Sequence, residues 1–98
     1  MQKVKLVYLI ADEGLTDDVL SALEELDIPH YTRWSGVEGA GSTGPRQGSP
    51  IWPGLNEVFL LALAPERVQP LVDTLHAIRD SYPITPGLRF IITDADFV

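Results

Sequence analysis

The chain has 98 residues, with 14 acidic side chains against 7 basic ones for a formal net charge of −7, and no cysteine. This length supports one domain, residues 1–98, marginal as a monomer and helped by self-association. The acidic balance repels a phosphate backbone, so no nucleic-acid partner is expected, and the lack of thiols excludes disulfides and thiolate metal sites or nucleophiles. Hydrophobic residues at 45% and a mean hydropathy of +0.08 are high for so small a chain, which points to apolar surface buried between subunits. No apolar run approaches the roughly 18 residues of a membrane span. The N-terminus leads straight into a strand pattern rather than a signal peptide, and the expected location is cytoplasmic.

Val4, Leu6, Tyr8 and Ile10 alternate with Lys3, Lys5, Val7 and Leu9, the period-two pattern of a first strand, here read with its even face buried. Asp12, Glu13 and Gly14 break it. Thr16 is an N-cap candidate with Asp17 and Asp18 in the first turn, where the helix dipole favours negative charge. Leu15, Val19, Ala22, Leu23 and Leu26 then recur at helical spacing, predicting a helix to about Asp27. Pro29 opens a second extended segment, with His30, Thr32 and Trp34 on one side and Tyr31 and Arg33 on the other. Residues 56–64 form an apolar run too continuous for a strand with one wet face, so a strand in the middle of a sheet or at a subunit contact is expected. Pro65 begins a second helix with a buried stripe of Val68, Leu71, Val72, Leu75 and Ile78, and Pro70 falls in a first turn that has no backbone donor to lose. Leu88, Phe90 and Ile92 alternate in a last strand, read as ending in an acidic tail from Asp94 to Val98. The order β-α-β-β-α-β predicts an α+β, ferredoxin-like fold: an antiparallel four-stranded sheet, both helices on one face, and a long loop between strands 2 and 3. The bare sheet face would need a cover, and self-association supplies one.

That loop carries the functional expectation. From Ser35 to Gly54 it holds six of the eight glycines and three of the eight prolines, with Glu38 and Arg46 as its only charges. Loops beyond roughly 12–15 residues are uncommon in compact domains unless functional or disordered. Small, neutral and bracketed by Trp34 and Trp52, this composition suits a backbone that closes around a ligand or enters a partner's groove. A disordered insertion is the plainer alternative. Arg33 and Arg46 are the cations nearest the loop, and Arg46 lies between Gly44 and Gly48, where backbone N–H groups could complete an anion cradle; a solvated arginine is the competing reading. His30 and His76 are lone imidazoles, better explained as structural or surface groups than as ligands or bases. Asp12, Glu13, Asp94 and Asp96 flank strand ends, where acids usually only solvate a turn, and no metal site is assigned to them. No signature of covalent catalysis is present.

The element order, the glycines of Gly36 to Gly41, the segment from Trp52 to Phe59 and that from Gly87 to Ile91 together resemble the PII signalling superfamily, in its PII-like branch, over nearly the whole chain. The resemblance implies a non-enzymatic homotrimer in which residues 35–54 are the T-loop, a mobile effector-binding element, with small ligands in clefts between subunits at its base. On that basis Arg33, Gly36, Gly39, Gly41, Arg46, Gly87 and Arg89 are the ligand-binding candidates, and Ser42, Thr43, Gly44, Arg46, Gly48 and Trp52 the partner-binding loop. The ligand classes implied are an adenine nucleotide, bicarbonate or a divalent metal, and the regulated partner a membrane transporter or an enzyme. Two features depart from the nitrogen-regulating core: the loop has no tyrosine, and the Gly-Lys step before the last strand reads Gly87-Leu88 with no arginine after Arg89.

Two other readings use the same fold. CutA-type divalent-cation proteins are ferredoxin-like trimers whose tryptophan-flanked hairpin resembles Arg33-Trp34, but they lack so long a glycine-rich excursion. An acylphosphatase-like hydrolase would pair Arg33 or Arg46 with Asn56. Its phosphate clamp would be expected directly after the first strand, where Asp12 and Glu13 repel an anion.

Overall fold

The computed structural model describes residues 1–41, 44–46 and 54–98. Strand β1 (Gln2–Asp12) is followed by helix α1 (Thr16–Glu25), β2 (Thr32–Val37), a short ribbon of β3 (Gly39–Gly41) and β4 (Gly44–Arg46), then β5 (Asn56–Leu63), α2 (Val68–Asp80) and β6 (Leu88–Phe97). The long strands form one antiparallel sheet in the order β2-β5-β1-β6, so the apolar run of β5 is central, as its composition predicts. This is the expected ferredoxin-like βαββαβ arrangement. The paired ribbon β3–β4 adds a small second sheet within what the sequence presented as a loop.

Both helices cover one face. Val7, Leu9 and Ala11 of β1 stand opposite Leu61, Phe59 and Glu57 of β5, and Val7, Leu9, Phe59 and Leu61 meet Leu15, Val19, Ala22 and Leu23 from the α1 side and Leu71 and Leu75 from α2 in one core. Each such large side chain taken wholly out of water contributes about 1.5–3 kcal/mol. The buried face of β1 is therefore the odd one, not the even one expected. Both faces of that strand are apolar, and Lys3 and Lys5, which made the odd face look wet, lie towards its beginning and pair there with Asp96 and Asp94. Leu6, Tyr8 and Ile10 instead share the open face with Trp34, Val58, Leu60 and Ile91. On that face Tyr8, Trp34 and Ile91 are 38%, 47% and 52% exposed, a broad apolar surface.

The helix ends differ from expectation in detail. A 3₁₀ turn, Glu13–Leu15, precedes α1, and Asp12 caps it by accepting a 2.8 Å hydrogen bond from the Gly14 N–H. Thr16 is thus the first residue of the α-helix rather than its cap, and its buried hydroxyl has no hydrogen-bond partner among the described residues. Helix α1 stops at Glu25, before Asp27, which turns left-handed at φ 56°. The Arg67 guanidinium donates to the carbonyls of Leu26 and Asp27, both at 2.9 Å, satisfying orphan acceptors at this helix end. Helix α2 follows a 3₁₀ turn at Pro65–Arg67, and His76 on it packs edge-on against Phe90 at 5.7 Å. The acidic tail is also strand: β6 runs to Phe97, because Asp94 and Asp96 face the lysines of β1. The cluster weighed as a cation site is accordingly split, since Asp12 and Glu13 lie at the other end of β1.

Candidate functional site at the base of the loop

One row of residues crosses the sheet where the loop joins it. Val37 of β2 stands opposite Asn56 of β5, and Asn56 opposite Asp12 of β1. The Asp12 N–H then donates to the Gly87 carbonyl at 2.9 Å, and the Glu13 N–H to the Leu55 carbonyl at 2.9 Å. Four segments distant in sequence thus meet on one rim: the exit of β2, the return to β5, the β1–α1 turn, and the turn before β6.

The rim gathers the predicted ligand residues unequally. Gly36 is the penultimate residue of β2, with φ +66°, a left-handed backbone that a side chain would strain. At Gly39, opposite Arg46 in the ribbon, an added Cβ would sit 3.0 Å from Asn56 Nδ2, so the ribbon's foot rests on the sheet's rim. Gly41 faces Gly44 across the ribbon. Gly87 joins the rim through its carbonyl, and Arg89, two residues on, is exposed opposite Ile10 on the open face. Ser42, Thr43, Gly48 and Trp52 lie outside the described residues.

Arg33 stands apart from the others. It is on the helix-covered side, opposite Phe59, with its guanidinium carbon 6.0 Å from the ring centroid. Its Nε donates to Ser35 Oγ at 3.1 Å and to Glu57 Oε2 at 3.2 Å. Alternation along the strands puts Arg33 and Asn56 on opposite faces, which separates the pair a hydrolase would use. Glu57, only 7% exposed, is the functional-region residue the sequence reading missed. Its signal was a carboxylate opening an otherwise apolar strand, on the parity that turned out to be buried.

Among the described residues, three side chains titrate away from their ordinary values, each through a surface hydrogen bond. The Lys5 ammonium beside Asp94 lowers its carboxyl, Arg79 does the same to Asp80, and acceptance by Asp18 holds the Tyr82 phenol protonated to higher pH. These lie along β6 and around the α2 end.

No protein-family model and no curated protein matches the sequence. The architecture itself has clear counterparts among solved structures: its fold is shared with PII-like signalling proteins. CPII, a nitrogen regulatory PII-like protein from Thiomonas intermedia K12 bound to ADP, AMP and bicarbonate, matches with a TM-score of 0.78 at 17% identity, over 96% of this chain and 87% of that one. The apo form of CPII matches with a TM-score of 0.62 at 14% identity, over 97% and 96%. A candidate PII-like signalling protein from Thermus thermophilus matches with a TM-score of 0.62 at 17% identity, over 95% and 87%. Among the described residues, no helix is long and apolar enough to cross a membrane.

Proposed function

We propose that this chain is a non-enzymatic, cytoplasmic signalling protein of PII-like type, in which a small ligand at the loop-base rim controls residues 35–54 as an effector element. The observation that carries the reading is the transverse row Val37, Asn56, Asp12 and Gly87, which couples the foot of the loop to the turn before β6. A ligand bridging those segments changes the loop because it binds its ordered and released states with different affinity. The apolar open face supports a homotrimer, and the rim would then open into clefts between copies. Of the implied ligand classes, an adenine nucleotide and bicarbonate are favoured, since the CPII structures hold ADP, AMP and bicarbonate on the same fold. Gly36, Gly39, Gly41 and Gly87 would admit the ligand closely, while Arg46 and Arg89 supply positive charge. The loop then docks on a transporter or an enzyme.

The test is thermal stabilisation of the purified protein by ADP, AMP and bicarbonate, separately and together. A ligand at a hundredfold excess over Kd stabilises by about 2.7 kcal/mol. Arg89→Ala should weaken nucleotide or bicarbonate binding by about 1–3 kcal/mol, the worth of a charged hydrogen bond. No stabilisation by any of the three, or multiple turnover of acetyl phosphate, would overturn the proposal.

A further inference from the structure

Strand β2 does not run flat into the ribbon. Trp34 stands opposite Val58 and Val37 opposite Asn56, so three steps along β2 are matched by two along β5, and one extra residue is accommodated in a bulge. Ser35 and the left-handed Gly36 occupy it. A bulge redirects a strand, and three residues beyond Gly36 the ribbon begins at Gly39. What fixes the bulge therefore fixes where the ribbon points.

The Arg33 side chain spans this irregularity. A single N–H, on Nε, is shared between Ser35 Oγ inside the bulge and Glu57 Oε2 on the neighbouring strand, while the Phe59 ring lies beneath the guanidinium. Glu57 is buried, and an ionised carboxylate there is tolerated only with a charge partner and hydrogen bonds. Burial of Glu57 thus holds Arg33 in place, and Arg33 holds Ser35. A charge pair placed only for stability would not need the serine. We infer that Arg33 is a positioning residue, not a ligand contact: anchored by buried Glu57, it sets the Ser35–Gly36 bulge and so the direction in which the ribbon leaves the sheet. The inference concerns the aim of the element that Proposed function makes the effector, and it holds in the ligand-free chain.

Its test compares Arg33→Met, Glu57→Leu and the double variant by residue-resolved amide exchange without ligand, with urea unfolding on the same samples. Arg33→Met strands the buried Glu57 carboxylate and loses stability, Glu57→Leu leaves a guanidinium 34% exposed and loses less, and the double leaves no unpaired buried charge and regains most of what Arg33→Met loses. The amides of Gly36, Val37, Gly39, Ala40 and Gly41 should nevertheless exchange roughly tenfold or more faster in the double variant, while those of β1 and β5 exchange as in the wild type. Arg33→Lys, which keeps the charge but lacks the Nε donor, should loosen the same amides with little loss of stability, and it carries the test if Glu57→Leu fails to fold. Recovery of wild-type exchange in the double variant would make the pair merely stabilising and overturn the inference. So would a wild-type ribbon with no protection at all. Neither result bears on whether ADP or bicarbonate binds.

Discussion

Replacing Gly36 by alanine isolates backbone strain from packing at the foot of the loop. The residue is exposed, and a Cβ built there would lie 3.7 Å from Leu55 Cδ1, an ordinary contact. No clash is added, so the cost is that of holding an L residue at φ +66°, about 1–2 kcal/mol. Against it stands the lower entropy of the unfolded alanine chain, worth about 0.4–1 kcal/mol in the opposite direction. The expected net loss is about 1 kcal/mol, or roughly 4–8 °C in Tm for a domain of this size. Gly87 is the internal control: no described atom lies within 4 Å of its added Cβ, and its φ is not left-handed, so Gly87→Ala should gain about 0.4–1 kcal/mol. Gly36→Asn should fall between wild type and alanine, because asparagine visits the left-handed region more readily. Equilibrium urea unfolding at one fixed protein concentration reads all three. Alanine at positions 36 and 87 acting with the same sign would refute the reasoning, since the only difference invoked between them is φ.

Phe59 is fully buried against Tyr31, at a ring distance of 5.6 Å, and beneath Arg33, so Phe59→Ala should cost about 3–5 kcal/mol in urea unfolding. The Asp94 carboxyl is held below its ordinary value of 3.8 by Lys5, so its contribution is present above that pH and is lost as pH falls through the lower folded value. Asp94→Asn should accordingly flatten the acid limb of a Tm-against-pH curve and leave its slope near neutrality unchanged. Ile91→Lys places a charge on the open apolar face and should disperse the proposed homotrimer, giving light-scattering masses near the 10.8 kDa of one chain where the wild type is expected to give a multiple.

The fold was legible because its helices carry clean stripes: Val19, Ala22 and Leu23 on α1, and Leu71 and Leu75 on α2, are the residues that close on the sheet. The faces of β1 were not, for a physical reason. A central strand covered by helices on one side and carrying an apolar open face on the other gives no wet parity to read, and the lysines at its start point to where the helix cover ends rather than to which face is exposed. Asp94 and Asp96 misled in the same way, since cross-strand charge pairs let an acidic segment continue a ladder. At the site, the glycines marked the loop but not its geometry. That Gly36 turns left-handed and that Gly39 abuts Asn56 depend on the bulge, which arises from a register against β5 that no local pattern encodes. Arg33 was visible as a cation beside the loop, whereas its engagement with Glu57, twenty-four positions away, was not.

The central place of β5 governs how the chain can assemble in time. Both β1 and β2 hydrogen-bond to it, so neither can join a lasting sheet until the polypeptide has been made as far as residue 63. Gln2 must then wait longer still for Phe97. Such non-local pairing slows folding relative to helical domains of similar length. The closure between β2 and β5 must span residues 38–55, yet its entropic cost grows only logarithmically, about 0.6 kcal/mol for each doubling. Halving or doubling this segment would therefore shift the stability of the sheet by only about 0.6 kcal/mol. Its length is thermodynamically cheap for the fold, and can be set by whatever the loop must reach.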